Sequence, residues 1–303
     1  MSLISIAKGS FHLAGLLHRP ENASSLAPGL VVVHPGGGVK EQTANLYAQR
    51  MSQQGFVSVA FDALYQGQSE GSPHYLEDPG SRVSDVSSVV DFLQTLDYVD
   101  PDAITVLGIC AGGGYGIAAA ATDHRIKAVA AISLVNIGDT NRQGWLNTLN
   151  TSDAYATVES AAEVIQDIAG GGNITYLQYV PDPPQADTPP DLVDAWDYYR
   201  TPRGFYNTSE NRMHPASVPL IYRFDSWHLA DQFLSQPTIL IAGEDADSRW
   251  GTDDIYEKIK DSNPNAVKIL VPGGRHMDFY DRELYVAPSV ANVTDFFKTH
   301  LNL

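Results

Sequence analysis

The sequence has little of several things, and each shortage narrows what the chain can be. It contains one cysteine, Cys110, so no disulfide can form within the chain. Lys and Arg together number 19 against 36 Asp and Glu, a formal net charge of −17. Nucleic acids and anionic membrane surfaces both attract basic patches, so this charge argues against either kind of partner.

Long apolar runs are also missing. No segment approaches the roughly 18 uninterrupted apolar residues of a membrane span. The N-terminus, MSLISIAK, lacks the basic start and long apolar run of a signal peptide, so we expect a cytoplasmic protein. No cluster of His, Cys, Asp and Glu has metal-ligand spacing, and the dinucleotide fingerprint with its downstream acid is absent. We therefore expect neither a metal nor another cofactor.

The chain does contain a regular alternation of strand-like and helix-like segments. Continuous apolar runs such as 30–34 are typical of strands that are buried on both faces. The patterns predict strands at 3–7, 10–18, 30–34, 56–62, 103–109, 126–134, 237–243 and 266–271. They predict helices at 42–54, 78–96, 111–122, 227–235, 252–261 and 287–301. Such alternation predicts an α/β fold whose mostly parallel sheet has helices on both faces.

The alternation stops after Asp139 and resumes near residue 226. We therefore predict a core of residues 1–138 and 226–303, and an inserted cap or lid of residues 139–225 over the carboxyl ends of the strands. The insertion is rich in aromatic residues, which suit a pocket wall for an apolar or aromatic acyl group. They could equally form its own core or a subunit contact. They are Tyr155, Tyr176, Tyr179, Trp196, Tyr198, Tyr199, Phe205, Tyr206, Tyr222 and Phe224, with Trp227 just beyond.

The strongest functional signal lies in residues 104–115, ITVLGICAGGGY. An apolar run, then Gly-x-Cys-x-Gly, then a helix pattern is typical of a sharp elbow that holds a nucleophile. The turn is so tight that only small residues fit at Gly108 and Gly112. Cys110 would stand at a helix N-terminus, where the helix dipole favours the reactive thiolate. A lone cysteine is more often a small buried hydrophobe, but the flanking glycines favour a nucleophile here.

A glycine loop, His34-Pro-Gly-Gly-Gly38, follows a predicted buried strand. Glycines let the backbone approach a ligand and aim its N–H groups at it. An acyl-transfer enzyme needs two such donors for its oxyanion. We assign Gly36 and Gly37 to the donor in this loop, and Ala111 to the second donor. The alternative is a tight turn without chemistry.

His276 is the candidate base, because it follows the last predicted strand in a Gly-Gly loop. It would take the Cys110 proton and later activate water. An acid to orient it belongs just after strand 237–243. The usual arrangement puts Asp three residues past the glycine, where this chain has Ala246. We prefer Asp247, with Asp245 as the alternative; Asp278 and Asp139 are more distant candidates.

Together these residues resemble the α/β-hydrolase superfamily. The elbow has cysteine in place of the usual serine, and in this it resembles the dienelactone hydrolase branch. Longer signatures resemble those of a dienelactone-hydrolase-like group that includes fungal polyketide transferases. Those signatures are HPGGGVKEQ (34–42), FDALYQGQS (61–69), GICAGGGY (108–115) and HMDFYD (276–281). The resemblance implies the α/β-hydrolase fold and a Cys–His–Asp triad, from which Ala246 is a departure.

The resemblance also implies an acyl-cysteine intermediate in the hydrolysis of small-molecule esters, lactones or thioesters. An acyltransferase would use the same triad, with an alcohol or amine in place of water. A third reading is a binding protein that kept the fold and lost catalysis. The oligomeric state is left open by the sequence, a homodimer included.

Overall fold

The computed structural model describes residues 1–21 and 26–303, and a sheet of eight strands organises this part of the chain. Across the sheet the strand order is β1-β2-β4-β3-β5-β6-β7-β8. The pairs β1/β2 and β2/β4 are antiparallel and the other five pairs are parallel, as predicted. The strands are β1 (Ser2–Lys8), β2 (Phe11–His18), β3 (Ala27–Val33), β4 (Val57–Phe61), β5 (Val99–Ile109), β6 (Ile126–Ile132), β7 (Thr238–Gly243) and β8 (Ala266–Val271).

Helices cover both faces of this sheet. In β3, Val31 and Val33 pack into one core with helices α2, α3 and α9, whereas Leu30 and Val32 pack into the other with α1 and α11. Both faces are therefore apolar, which explains the continuous apolar run. The helices are α1 (Thr43–Gln53), α2 (Pro79–Gln94), α3 (Ala111–Thr122), α4 (Ile137–Gln143), α5 (Thr151–Ala169), α6 (Pro190–Arg200), α7 (Ser217–Tyr222), α8 (Ala230–Phe233), α9 (Arg249–Ile259), α10 (Asp278–Asp281) and α11 (Glu283–Leu301).

Most predicted elements lie within a few residues of the observed ones; the larger differences are at β5, which begins at Val99 and not at 103, and at two helices. The helix expected at 227–235 is shortened to α8, which begins at Ala230. Leu229 has φ of 57°, and this left-handed conformation prevents the helix from starting earlier. The helix expected at 287–301 begins earlier, at Glu283, and continues through Pro288.

The chain between β6 and β7 holds helices α4 to α8. In the described chain this stretch adds no strand to the sheet, and its one isolated bridge joins Leu177 and Met213. The boundaries 139 and 225 remain a prediction, and we call these residues the 139–225 segment. Among the helices described, none combines the length and hydropathy needed to cross a bilayer.

Candidate active site

Cys110 lies at the sharp bend between β5 and α3. Its φ is 55°, a left-handed conformation that a residue with a side chain rarely adopts. A Cβ on Gly108 would overlap the carbonyl oxygen of Gly112, and a Cβ on Gly112 would overlap the carbonyl oxygen of Val33. The bend therefore excludes side chains at both glycines, for the steric reason inferred from the sequence.

The Cys110 thiol is half-buried at the first turn of α3. Burial by itself would raise the pKa of this thiol. The positive charge of His276 and a hydrogen bond with its ring outweigh burial and bring the pKa below its usual value. The Tyr280 hydroxyl and the Ala111 N–H form further hydrogen bonds that act in the same direction. The surroundings of Cys110 thus favour the thiolate.

His276 is buried in the loop between β8 and α10. Both ring nitrogens face hydroxyl groups: Nδ1 lies 2.6 Å from Ser248 Oγ, and Nε2 lies 3.3 Å from the Tyr280 hydroxyl. Trp145, from the 139–225 segment, packs edge-on against the ring with centroids 5.0 Å apart. The imidazole is therefore held on three sides, by groups from three parts of the chain.

The expected contact between Asp247 and the His276 ring does not occur in the structure. The Asp247 carboxylate accepts a hydrogen bond from the backbone N–H of Asp191 at 3.1 Å instead. Asp245 is tied by its backbone N–H to Gly274 O at 3.0 Å, and no hydrogen bond among the described residues joins its carboxylate to the ring. A hydroxyl, Ser248, takes the position that the sequence analysis gave to a carboxylate.

The two more distant acid candidates also have other partners. Asp278 accepts from the backbone N–H of Arg275 at 2.8 Å, and Asp139 accepts from Asn136 at 2.7 Å. Among the described residues, no group of three or more His, Cys, Asp or Glu side chains could hold a metal ion.

Gly36 and Gly37 lie beside the elbow, in the loop after β3. A Cβ on Gly36 would be 3.8 Å from the Cβ of Ala111, so the two candidate oxyanion segments adjoin. The N–H groups of Gly36 and Gly37 have no acceptor among the described residues. The Ala111 N–H belongs to the first turn of α3, where N–H groups lack a partner in the helix. The N–H groups of Gly36 and Gly37 are therefore available to a ligand oxygen, whereas the Ala111 N–H contacts the Cys110 sulfur.

Tyr179, from the 139–225 segment, covers this loop. A Cβ on Gly37 would lie 2.6 Å from the Tyr179 ring, and the Tyr179 hydroxyl donates to the buried Glu77 carboxylate at 2.8 Å. A cavity of about 10 Å³ lies beside this loop and is lined by Gly36, Gly37, Tyr179 and Tyr199 among others, but by neither Cys110 nor His276. Of the aromatic residues singled out in the sequence, Tyr179 and Tyr199 thus line the site, whereas Tyr155 is exposed.

The buried side chains of His34 and Arg82 support the glycine loop. The backbone N–H of Ala63 donates to His34 Nε2 at 3.1 Å, which leaves the proton on Nδ1 to bond Pro35 O at 2.7 Å. Burial and the Arg82 guanidinium lower the pKa of His34 well below its usual value, so this histidine is neutral. Arg82 also donates to His34 O at 2.6 Å. His34 is therefore a support of the loop.

The comparisons with known proteins agree with this architecture. The model of the dienelactone hydrolase family matches residues 13–133, a range that includes the glycine loop and Cys110. The uncharacterized protein YcjY of Escherichia coli (strain K12) is 41% identical over 273 residues, 90% of this chain and 88% of that protein. The chain belongs to the dienelactone hydrolase family.

Two solved structures are similar to this chain over almost its whole length. The crystal structure of the hypothetical protein PA2218 from Pseudomonas aeruginosa has a TM-score of 0.91 at 30% identity, over 99% of this chain and 93% of that one. The α/β-hydrolase GrgF from Penicillium sp. sh18 has a TM-score of 0.80 at 20% identity, over 100% and 99% of the two chains. The fold is that of the α/β-hydrolases.

Shorter matches connect the chain to proteins named for acyl chemistry. The thiohydrolase aneE of Aspergillus aculeatus is 31% identical over 105 residues, and the acyltransferase drtE of Aspergillus calidoustus is 32% identical over 113 residues. These matches span 35% and 37% of this chain and 33% and 36% of those two proteins. They are therefore consistent with the family, but they do not show which reaction this chain catalyses.

Sequence reasoning missed Ser248, Tyr280 and Asp191. Tyr280 could have been found, because it lies four residues after His276 and a single helical turn brings such residues together. Ser248 is the residue after Asp247, but the triad pattern predicts a carboxylate there and not a hydroxyl. Asp191 lies in the first turn of α6, and no local pattern indicates its contacts.

Proposed function

We propose that this member of the dienelactone hydrolase family hydrolyses small-molecule esters, lactones or thioesters through an acyl intermediate on Cys110. The observation that carries the proposal is the Cys110 thiol itself. It stands on a bend that only flanking glycines permit, and the neighbouring His276 lowers its pKa. A strained, activated nucleophile at the carboxyl edge of a parallel sheet is the arrangement that acyl transfer requires.

In the acylation step, the Cys110 thiolate attacks the carbonyl carbon of the substrate. The carbonyl electrons move to oxygen, and the N–H groups of Ala111 and of the Gly36–Gly37 loop stabilise this oxyanion. When the tetrahedral intermediate collapses, the bond to the leaving group breaks and protonated His276 gives that group its proton. The products are the acyl-cysteine and an alcohol or thiol.

In the deacylation step, neutral His276 removes a proton from water, and the hydroxide attacks the thioester carbonyl. The tetrahedral intermediate expels the Cys110 thiolate, and the acid product leaves. A thiolate is a much better leaving group than an amine or an unactivated alkoxide is, so activated acyl substrates are favoured over peptides.

Ser248 takes the orienting role in place of an acid. A carboxylate on the base is most needed when the nucleophile is a hydroxyl, because the imidazolium then forms only during the reaction. A cysteine thiolate is already charged beside His276 and stabilises the imidazolium itself. The 2.6 Å contact from Ser248 to Nδ1 is then sufficient to hold the ring in position.

The 139–225 segment acts as a cap over the site. Tyr179 lies directly over the glycine loop, since a Cβ on Gly37 would be 2.6 Å from its ring. The cap moves when a substrate enters, and its aromatic side chains then offer an apolar or aromatic acyl group a complementary surface.

Replacement of Cys110 by Ala tests the proposal. Turnover of p-nitrophenyl esters and of an acyl thioester should fall about a thousandfold or more. Because Cys110 is the only cysteine, a rapidly quenched wild-type reaction should show one acyl adduct by intact-protein mass spectrometry, and the variant should show none. Unchanged turnover in Cys110→Ala would refute an acyl-cysteine.

Acyl transfer is the second candidate. Tyr179 covers the glycine loop, which favours exclusion of water, and one partial relative is named an acyltransferase. The two reactions differ in what attacks the acyl-cysteine. If a series of added alcohols or amines raises product release at saturating acyl donor while acid formation falls, transfer is the native reaction; if acid formation is unaffected, hydrolysis is.

A further inference from the structure

One buried carboxylate of the 139–225 segment contacts both loops that carry the proposed base and its partner. Asp191 is the second residue of α6 and is fully buried. Its Oδ2 accepts from the backbone N–H of Asp247 at 2.7 Å, and its Oδ1 accepts from the backbone N–H of His276 at 3.3 Å. A carboxylate in the first turn of a helix ordinarily faces its own helix or solvent, so this orientation needs a reason.

The contact is reciprocal. The Asp191 backbone N–H donates to the Asp247 carboxylate at 3.1 Å, so the two residues exchange hydrogen bonds across 56 positions of sequence. This exchange uses the Asp247 carboxylate, which the sequence predicts at the His276 ring. It also joins the first turn of α6 rigidly to the loop after β7.

The geometry of the base depends on these loops. Ser248 follows Asp247 directly, and its 2.6 Å contact with His276 Nδ1 holds only if the loops after β7 and β8 keep their spacing. Two direct backbone bonds join this part of the chain where β7 and β8 end, from Glu244 N to Val271 O and from Asp245 N to Gly274 O. Asp191 joins the two loops at the ring itself, through the two residues that determine where Ser248 and the imidazole lie.

We infer that Asp191 is a positioning residue, through which the 139–225 segment sets the distance between His276 and Ser248 and so makes an active base conditional on a closed cap. The inference rests on the proposed function. When α6 is lifted, the backbone N–H groups of Asp247 and His276 lose their shared acceptor, and the His276 ring loses its fixed place beside Cys110. Cap closure and activation of the nucleophile are then one event.

The charge environment makes this contact sensitive to pH. Facing Asp191 are the Asp247 carboxylate, from the loop after β7, and the Arg275 guanidinium, from the loop after β8, whose Nε lies 3.6 Å from Asp191 Oδ1. On α6 itself, Asp194 pairs with Arg275 at 3.2 Å. Burial, and then the Asp247 charge, raise the pKa of Asp191 to about 6. When Asp191 is protonated, one of its two oxygens becomes a hydroxyl. The hydrogen bond that this oxygen accepts from a backbone N–H is then weakened or lost.

The substitution Asp191→Asn tests the inference, because it keeps the size of the side chain and turns one of the two acceptors into a donor. We expect kcat to fall about tenfold while KM changes less than twofold, since a small misplacement of a catalytic group affects the chemical step most. The matched control is Asp194→Asn, on the same helix and beside the same arginine, with no bond to either loop backbone. It should keep wild-type kcat.

Two further measurements separate positioning from folding and from the proposed function. The folded fraction of each variant is measured by circular dichroism and urea denaturation, so that kcat refers to folded protein only. The rate at which iodoacetamide alkylates Cys110, followed from pH 5 to 9, needs no substrate and reports the thiolate held by His276. In Asp191→Asn the apparent pKa of the thiol should rise and alkylation at pH 7 should slow about tenfold. Asp194→Asn should be unaffected.

The outcomes are distinct. If Asp191→Asn matches Asp194→Asn in kcat, alkylation rate and pH profile, Asp191 does not position the base and the inference is wrong. If the wild-type protein turns over no acyl substrate, the proposed function fails, and alkylation still decides for or against Asp191. If kcat and KM change together and alkylation does not, Asp191 acts on substrate entry alone, which also overturns the inference.

Discussion

The two sides of the proposed site are held by different kinds of contact. On the nucleophile side, the Cys110 elbow and the glycine loop are set by the backbone of β3 and β5, with Gly108 and Gly112 packed against carbonyl oxygens. Buried ionic contacts support that loop: Lys40 pairs with Asp62 at 2.8 Å with both side chains fully buried. All of these residues precede position 139, so none of these contacts involves the 139–225 segment.

The base side depends instead on side-chain hydrogen bonds between loops. Ser248 and Tyr280 hold the imidazole through neutral hydroxyls, and Asp191 reaches in from the 139–225 segment. Such bonds are each worth about 1 kcal/mol, whereas overlap with a backbone atom cannot be relieved without moving the sheet. Substitutions on the nucleophile side should therefore affect folding, and those on the base side should affect catalysis.

The largest effect is expected for Gly112→Ala. Its Cβ would overlap the Val33 carbonyl oxygen, so β3 and α3 must separate, and we expect a loss of about 4 kcal/mol or more in the free energy of unfolding. Urea denaturation measures it. The control is Gly80→Ala in the first turn of α2, where a Cβ would meet Asp78 at an ordinary 3.4 Å and stability should change by about 1 kcal/mol or less. Equal stability of the two variants would contradict the steric account of the elbow.

The second prediction concerns stability against pH on the base side. The pKa of Asp191 is raised to about 6 in the folded protein, against an ordinary value near 3.9 in the unfolded chain. Between these values the folded state binds more protons, so the free energy of unfolding should fall as pH rises from about 4 to 6, by at most about 3 kcal/mol.

Asp191→Asn should remove this dependence, because the amide does not titrate. The quantity to measure is the urea midpoint at pH 4.5 and pH 7 for wild type and variant. The wild type should lose more stability than the variant on going to pH 7. If the urea midpoints of the two proteins change equally between pH 4.5 and pH 7, burial does not raise the pKa of the Asp191 carboxyl.

The third prediction compares Ser248 with its neighbour. Ser248→Ala removes the contact to His276 Nδ1 and should lower kcat roughly ten- to a hundredfold with little change in KM. Asp247→Asn keeps an oxygen to accept from Asp191 and should lower kcat by no more than about threefold. Steady-state kinetics on one chromogenic ester measures both. A larger loss for Asp247→Asn would restore the carboxylate as the group that orients the base.

The smallest effect is expected for Tyr280→Phe. The hydroxyl bonds the Cys110 thiol and lies 3.3 Å from His276 Nε2, so its removal should raise the pKa of the thiol, because the thiolate loses one hydrogen-bond donor. Alkylation of the single cysteine against pH measures this shift. Tyr198→Phe, which alters a ring packed edge-on against Tyr280, is the control and should leave the thiol pKa unchanged.

The same division explains what could be predicted from the sequence. Cys110, Gly108 and Gly112 form the elbow through contacts with residues close in sequence or on a neighbouring strand, and such sterics leave a short motif. The sheet and most of its helices follow from apolar periodicity for the same reason. The partner of His276 could not be predicted, because Asp247 is engaged by Asp191 of α6, 56 residues away, and only tertiary structure brings those two together.

The absence of a second cysteine has a consequence for oxidative damage. A thiolate-forming residue is the first to be oxidised by peroxide, and the sulfenic acid it gives is normally rescued by condensation with a nearby thiol. No such thiol exists in this chain. Recovery of an oxidised Cys110 must therefore come from a diffusible thiol that reaches a half-buried sulfur, and continued exposure to peroxide would convert the residue irreversibly to the sulfinic acid.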